Sequence, residues 1–361
     1  MNDANELISF IASMSGEGNL RVEENLGEGY VRLRVSEAER RQAKHDIQHV
    51  EDIVIEMLRN ARDAGADKVY LATTKEEGVR TLLFLDNGSG VPQDMQERIF
   101  DARVTSKLEN MKMDRWGVHG RGMALFSIKQ NTDEARVVTS GVDLGSAFKV
   151  CVATDRLGER ADQSSWPQAV KDEGGRYVCA RGPHNIIRAA CEFALEELRC
   201  CDVYLGSPSE IAATLYAQAS SRLDTSRLLF IDDEYELPVI DRLGLASDAE
   251  DFIRICSGLG LEMSERTAHR ILSGQIKPVR GVTARLLRER DSTSHAPAPV
   301  DLAKDRRGLR IAKDDMAQFS RAVERDFNDL AARYYLNLCG DPKIRVSRDR
   351  ITVTFDLAKE E

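Results

Sequence analysis

Residues 56–66 read Glu-Met-Leu-Arg-Asn-Ala-Arg-Asp-Ala-Gly-Ala and are the most informative stretch of this 361-residue chain. Upstream of them, apolar residues recur three and four positions apart and predict one amphipathic helix over Ser36–Ala64. Glu56 and Asn60 are four residues apart, so they share a face of that helix. An amide oxygen can ligate Mg²⁺ and a carboxylate can activate water, although such a pair is usually only solvated.

A glycine-rich turn follows the second of two predicted strands, Lys68–Thr74 and Arg80–Leu85. It reads Asp86-Asn-Gly88-Ser-Gly90-Val-Pro. An Asn-Gly pair is a strong signal for a tight hairpin. Alternatively, the Asp86 carboxylate points into a pocket and accepts a hydrogen bond from an exocyclic amine such as that of adenine. The two glycines then let the backbone approach the base closely. The sequence leaves both alternatives open.

A second glycine-rich segment, residues 117–122, reads Gly-Val-His-Gly-Arg-Gly and precedes a helix predicted to begin at Met123. Glycines before a helix N-terminus can present backbone N–H groups to phosphates. The spacing is neither that of the dinucleotide fingerprint nor that of the P-loop. Taken alone, the segment is also compatible with an ordinary glycine loop.

In this order, the three motifs resemble the N, G1 and G2 boxes of the GHKL ATPases, the superfamily of gyrase, Hsp90, histidine kinases and MutL. The helix box is similar to Glu-Leu-Val-Glu-Asn-Ser-Leu-Asp-Ala-Gly-Ala of MutL, and Val104-Thr-Ser-Lys107 is similar to its Ala-Thr-Ser-Lys. Gly117-Val-His-Gly120 looks more like the Gly-Leu-His-Gly of gyrase than the Gly-Phe-Arg-Gly of MutL. The resemblance covers residues 46–155 and extends towards residue 205.

The resemblance implies an α+β fold, a Bergerat-type ATP-binding α/β sandwich in which a mixed sheet carries helices on one face. It implies ATP and Mg²⁺ as cofactors, Glu56 as the general base for water and Asn60 as the metal ligand. The further residues that it places at the nucleotide are Asp63, Asp86, Gly88, Gly90, Thr105, Ser106, Lys107, Gly117, His119, Gly120, Arg121, Gly122 and Thr139. Asp86 would accept a hydrogen bond from the adenine amine. Thr139 would lie under the base, unless it is an ordinary strand threonine.

MutL and gyrase also bring a lysine from a second domain onto the terminal phosphate. Its counterpart is not evident in this sequence. The lysines considered for it are Lys277, Lys304 and Lys313.

Residues 248–290 are predicted to form three short helices. Ser264 is a candidate N-cap, and the following Thr267-x-x-Arg-Ile-Leu-x-Gly274 resembles the recognition helix of LacI-type repressors. The segment also resembles the helix-two-turns-helix insert of topoisomerase VI B subunits. Residues 254–291 contain eight Lys or Arg against four Asp or Glu, in a chain of net charge −9. Such local charge suits contacts with DNA phosphates, whereas a helical packing domain with solvated arginines is the alternative. The candidate DNA contacts are Ser264, Arg266, Thr267, His269 and Arg270.

The sequence predicts five segments in succession. They are an N-terminal helix and hairpin arm (1–45), the ATP-binding domain (46–205), a connecting α/β segment (206–247), the helix-turn-helix-like domain (248–291) and a C-terminal helix and hairpin (300–361). Residues 292–300, Ser-Thr-Ser-His-Ala-Pro-Ala-Pro-Val, have the composition of a linker. The last segment is predicted to contain a helix over 312–338 and a hairpin of 344–347 with 351–355.

The composition suggests a cytoplasmic protein without a membrane partner. No apolar run approaches the roughly 20 residues of a membrane span, and no signal peptide is visible at the N-terminus. The seven cysteines show no Cys-x-x-Cys spacing, so we interpret them as reduced thiols.

The leading hypothesis from the sequence is a slowly hydrolysing, ATP-dependent conformational switch that acts on or near double-stranded DNA. Nucleotide would close a lid, and the chain would form a nucleotide-dependent homodimer through residues 1–35. One alternative is a GHKL-type protein kinase. His45 and His49 lie on the first box helix, but no helical pair of the phospho-acceptor type precedes it. Another is a nucleotide-binding regulator without turnover.

Overall fold

The computed structural model describes residues 22–106, 112–119, 122–198, 200–223, 233–291, 313–331, 336–346 and 351–359. The chain divides into two compact units, Met1–Asp291 and Ser292–Glu361. The helix predicted at 1–14 and the linker predicted at 292–300 lie outside the described residues. None of the helices in the described ranges is long and apolar enough to cross a membrane.

Helices and strands alternate along the first unit. Its helices are α1 (Glu37–Asp46), α2 (Val50–Asp63), α3 (Ala124–Asn131), α4 (Ile186–Glu196), α5 (Pro208–Arg222), α6 (Ala249–Gly258), α7 (Glu265–Leu272) and α8 (Val282–Asp291). Its strands are β1 (Val22–Gly27), β2 (Tyr30–Leu33), β3 (Lys68–Glu76), β4 (Val79–Asp86), β5 (Val104–Thr105), β6 (Lys112–Asp114), β7 (Gly117–His119), β8 (Glu134–Ser140), β9 (Ser146–Ala153), β10 (Gln168–Lys171), β11 (Tyr177–Arg181) and β12 (Asp202–Gly206).

A five-stranded mixed sheet lies at the centre of this unit, in the order β12-β3-β4-β9-β8. All neighbours are antiparallel except β12 and β3, which are parallel. β4 pairs with β9 along its whole length, from Val79 opposite Ala153 to Asp86 opposite Ser146. The predicted mixed sheet with helices is therefore confirmed.

Helices cover both faces of this sheet, whereas the sequence predicted them on one. Successive β4 residues are buried on opposite faces, because side chains alternate along a strand. Leu82 and Phe84 pack with α2, α4 and α8, while Leu83 and Leu85 pack with α5, α6 and α7. Helix α5 lies in the segment predicted to connect two domains (206–247), and it contributes to the second core.

The single helix predicted over Ser36–Ala64 is wrong, because the structure divides it into α1 and α2. The Asp52 carboxylate accepts hydrogen bonds from the backbone N–H groups of Gln48 and His49, both at 2.9 Å, and so caps the start of α2. Ile47, in extended backbone between the helices, is only 3% exposed. The apolar periodicity therefore continues across the break and hides it in the sequence.

The second unit contains helix α9 (Lys313–Ala331) and four strands. The strands are β13 (Leu336–Leu338), β14 (Lys343–Val346), β15 (Ile351–Thr354) and β16 (Leu357–Lys359). β14 pairs antiparallel with β15, from Lys343 opposite Thr354 to Val346 opposite Ile351. The helix predicted to reach residue 338 is wrong at its end, because β13 pairs antiparallel with β16. A short run such as Leu-Asn-Leu is compatible with the period of a helix and with that of a strand. Its pairing with β16 makes it a strand.

Two glycines hold the turn after β4 against the turn between β8 and β9. Gly90 has φ +69°, and a Cβ there would lie 1.8 Å from the Gly141 carbonyl oxygen. Gly145 has φ +78°, and a Cβ there would lie 2.1 Å from the Asp86 carbonyl oxygen. The Ser140 hydroxyl joins the same two turns, accepting from the Val91 N–H and donating to the Gly145 carbonyl, both at 2.8 Å.

We predict that Gly145→Ala lowers the free energy of unfolding by about 3 kcal/mol or more, because backbone atoms must move to admit the methyl group. Chemical denaturation measures this loss. Gly78→Ala is the matched control, since Gly78 has φ +83° and open space around the added Cβ. Its cost should be only the roughly 1 kcal/mol of the left-handed backbone. Equal costs for the two variants would contradict the close contact.

Candidate functional site

A cavity of about 570 Å³ lies among α2, the end of β4, β5 and the start of α3. This size is typical of a small-molecule or cofactor site. It brings together many of the residues predicted from the three motifs. Those in its lining are Glu56, Asn60, Asp63, Asp86, Gly90, Thr105, Ser106 and Gly122.

Asp86 forms one end of the cavity. It is 4% exposed, and its carboxylate accepts a hydrogen bond from the Gly88 N–H at 2.8 Å. Gly88 lies behind Asp86 rather than in the lining, and a Cβ there would come within 2.8 Å of the Ala64 carbonyl oxygen. Ser146, opposite Asp86 in the sheet, also lines the cavity. The turn is not the tip of a hairpin, so the geometry favours the pocket alternative for Asp86.

A second group of charged side chains lies around the C-terminal part of α2. The Arg59 side chain is 3% exposed and donates to Glu56 Oε1 at 2.6 Å. Arg59 also makes a bidentate pair with Asp114, both contacts at 2.9 Å, and Arg62 donates to the same carboxylate at 3.0 Å. The β6–β7 hairpin is thereby attached to the helix that carries Glu56 and Asn60. Sequence reasoning missed Arg59, Arg62 and Asp114.

Arg62 lies among three carboxylates: those of Asp63 at 2.9 Å, Asp114 at 3.0 Å and Glu197 at 3.0 Å. Burial alone would lower the pKa of Arg62, but these carboxylates raise it above its ordinary value. Together with Glu56, four carboxylates face the two guanidinium groups of Arg59 and Arg62. The excess of negative charge beside Asn60 fits a divalent cation.

The donors beside the cavity suit Mg²⁺ held mainly by a ligand. The described ranges contain no group of three His, Cys, Asp or Glu side chains arranged for a metal. Mg²⁺ dehydrates reluctantly and is commonly bound through one or two protein oxygens together with substrate phosphates. An Asn60 side chain in the lining meets that requirement.

The residues predicted to form the lid are only partly described. Thr105 is buried and Ser106 is exposed, and both line the cavity. Lys107, Gly120 and Arg121 lie outside the described residues. Gly117 and His119 belong to strand β7, which pairs with β6. Trp116, between these strands, lines the cavity and stacks on Phe193 with the ring centroids 6.3 Å apart.

Thr139 is not in the lining. Its hydroxyl accepts a hydrogen bond at 2.8 Å from Arg242, which belongs to the layer on the second face of the sheet. The Arg242 side chain is buried and also donates to the Leu237 carbonyl oxygen. Ser146, rather than Thr139, presents a hydroxyl-bearing side chain to the cavity from this part of the sheet.

A separate surface is formed by α7. Ser264 caps the helix by accepting from the Thr267 N–H, and its hydroxyl lies 3.0 Å from that of Thr267. Arg266, His269 and Arg270 are exposed. The buried residues of this helix, Ala268 and Ile271, pack into the core. The five residues predicted to contact DNA therefore lie on one short helix and its cap, although Thr267 is half-buried.

The part of the chain that forms most of the cavity matches a known protein family. Residues 47–147 match the family described as "Histidine kinase-, DNA gyrase B-, and HSP90-like ATPase". This range begins just before α2 and ends in β9, so it contains the helix box, the Asp86 turn and the described part of the Gly117–Gly122 segment. This part of the chain is therefore similar to the ATPase domains of the GHKL superfamily.

The relatives found by sequence similarity are MutL proteins. The chain is 34% identical over 112 residues to the DNA mismatch repair protein MutL of Brucella abortus (strain S19), covering 31% of this chain and 18% of that protein. It is 31% identical over 107 residues to the MutL of Thermodesulfovibrio yellowstonii, covering 29% and 19%. The similarity thus spans less than a fifth of these relatives.

We predict that Asp86→Asn weakens the binding of ATP by roughly 1–3 kcal/mol, because an amide matches the exocyclic amine of adenine poorly in a buried pair. Isothermal titration calorimetry measures the change. Asp143→Asn is the control, since Asp143 lies on the neighbouring turn, has φ +58° that asparagine tolerates, and does not line the cavity. Unchanged ATP affinity in Asp86→Asn would remove this carboxylate from adenine recognition.

Proposed function

We propose that this protein binds ATP·Mg²⁺ in the cavity and hydrolyses it slowly, as a conformational switch. The observation that supports this most directly is the convergence of Glu56, Asn60, Asp86 and Gly122 on one cavity within a domain similar to those of the GHKL ATPases. The Glu56–Asn60 pair, Asp86 and Gly122 are far apart in the sequence, so the fold brings these three parts of the cavity together.

Each residue takes a separate task in this proposal. Asp86 accepts from the adenine amine, while Gly90 lets the backbone approach the base. Asn60 contributes a side-chain oxygen to Mg²⁺, which when bound neutralises charge on the phosphates. Glu56 orients the attacking water and accepts its proton. Gly122 lies before α3, where backbone N–H groups can face phosphate oxygens. Thr105 and Ser106 belong to the lid.

Slow turnover agrees with the surroundings of Glu56. One carboxylate oxygen already accepts a hydrogen bond from Arg59 at 2.6 Å. A carboxylate oxygen that is engaged by a guanidinium is less available to orient the attacking water. The MutL helix box that the sequence resembles has Glu at the Arg59 position. Nucleotide binding rather than rapid hydrolysis is therefore the main event that we propose.

Action on or near double-stranded DNA is the second part of the proposal. The exposed Arg266, His269 and Arg270 on α7 provide a basic surface suited to phosphate contacts. The MutL relatives are named as DNA mismatch repair proteins. We also propose that two copies of the chain associate when nucleotide is bound, because the lid strand β5 pairs with β2 of the N-terminal arm. Lid and arm are thereby connected through the pairing of β5 with β2.

We predict that Asn60→Ala abolishes ATP·Mg²⁺ binding, whereas Glu56→Ala retains binding and loses turnover. Metal ligation is needed in the ground state, while the base acts in the chemical step. Calorimetry measures binding, and release of inorganic phosphate measures turnover. Comparable loss of affinity in both variants would contradict these roles. Transfer of label from γ-labelled ATP to protein, in place of phosphate release, would indicate a kinase instead.

We predict that replacing Arg266 and Arg270 together by Ala weakens binding to duplex DNA and leaves ATP affinity unchanged. Wild-type affinity for DNA should fall steeply with added salt, because each neutralised phosphate releases counterions. Fluorescence anisotropy at low salt measures both effects. Arg156→Ala with Arg176→Ala is the control, since these arginines are exposed elsewhere. No duplex binding by the wild type, with or without an ATP analogue, would refute the DNA part alone.

A further inference from the structure

Arg103 has an unusual backbone conformation at the edge of the cavity. Its φ of +59° lies in the left-handed region, which costs free energy for a residue with a side chain. Its N–H donates to the Gly122 carbonyl at 2.8 Å, and its carbonyl accepts from the Leu33 N–H at 3.0 Å. The strained residue is thus held between the N-terminal arm and the glycine that precedes α3.

The Arg103 side chain is directed into a buried, polar setting. It is 6% exposed and lines the cavity, and its guanidinium donates to the Glu39 carboxylate. The Nε atom is buried, with no hydrogen-bond partner among the residues that the structure describes. A guanidinium presents five N–H donors, and leaving a buried donor without an acceptor is costly. A ligand in the cavity can supply the missing acceptor.

Gly122 indicates which part of a nucleotide would lie near Arg103. It is the last glycine of the segment that precedes α3, and a Cβ added there would come within 2.8 Å of the Val104 carbonyl oxygen. Segments of this kind receive phosphates. None of the lysines considered for the terminal phosphate is described in this cavity. Lys277 is exposed and outside the lining, Lys304 is not among the described residues, and Lys313 belongs to the second unit.

We propose that Arg103 binds the phosphate chain of the nucleotide and gives up its ion pair with Glu39 to do so. This inference rests on the proposed function, because it assigns a further phosphate ligand to the same cavity. Arginine is suited to the task, since its planar fork makes bidentate hydrogen bonds with phosphate oxygens. Nucleotide binding then supplies acceptors for the Arg103 donors at the cost of one ion pair.

Glu39 pairs with Arg103 in the absence of nucleotide, and it therefore competes with a phosphate for the guanidinium. Burial would raise its pKa, but hydrogen bonds from Ser36 and the charge of Arg103 lower it below the ordinary value, so the carboxylate is ionised at neutral pH. Glu39 is also the third residue of α1 and forms a capping box with Ser36. Release of Arg103 therefore changes the charge balance at the start of α1, which connects phosphate occupancy with the N-terminal arm.

The test uses the full chain and Mg²⁺ with ATP, measured by calorimetry. Arg103→Asn removes the guanidinium but keeps a residue that tolerates positive φ. Glu39→Gln removes the competing charge but retains the capping box, because Gln serves in that motif. The double variant tests whether the two effects depend on one another. Arg32→Asn is the control, since Arg32 lies on β2, pairs with Glu24 and Asp101, and does not line the cavity.

We expect Arg103→Asn to raise the Kd for ATP by about tenfold or more. Glu39→Gln should lower the Kd several-fold, and this gain should vanish in the double variant, because it acts only through Arg103. Arg32→Asn should leave the Kd unchanged. The thermal midpoint of each variant shows that the fold is retained.

Two results would overturn the inference. One is an unchanged ATP affinity in Arg103→Asn, and the other is an effect of Glu39→Gln that persists in the double variant. Both leave the proposed function intact if Asn60→Ala still abolishes binding. Absence of saturable ATP binding by the wild-type chain contradicts the proposed function itself and the role of Arg103 with it.

Discussion

The continuous pairing of β4 with β9 is the constraint on which the remaining structure depends. The register places Asp86 opposite Ser146 at one end of the central sheet, and both side chains reach the cavity. The pleat of β4 sends successive residues to opposite faces, so two apolar cores form on the same five strands. Gly90 and Gly145 allow the flanking turns to touch without side chains between them. The cavity is therefore shaped by the ends of these two inner strands and completed by α2 and α3.

Ion pairs of buried arginines hold together the elements around the cavity. Arg59 and Arg62 lie one helical turn apart on α2, and both donate hydrogen bonds to the carboxylate of Asp114. These contacts attach the β6–β7 hairpin to the helix. Such buried pairs are costly to break by removing one partner, because the other charge stays buried. Arg59 also contacts Glu56, and on the arm side Arg103 pairs with Glu39. Two arginines thus connect carboxylates of the cavity to elements that border it.

The local features of this fold were predictable from the sequence, whereas the long-range partners were not. Helical spacing gave the shared face of Glu56 and Asn60, and the strand before Asp86 gave its place at a sheet end. The break before α2 was missed, because Ile47 is buried and keeps the apolar period intact. Sequence spacing cannot show that Asp114 meets Arg59, fifty-five residues away. Nor does it show that the Thr139 hydroxyl is already engaged by Arg242.

We propose that the cavity selects adenine nucleotides through one buried carboxylate at its end, that of Asp86. Competition calorimetry with ATP and GTP, both with Mg²⁺, tests it most directly. We expect saturable binding of one ATP per chain and much weaker binding of GTP, because guanine carries a carbonyl where adenine carries the amine that would donate a hydrogen bond to Asp86. Equal affinities for the two nucleotides, or no binding of either, would contradict the account.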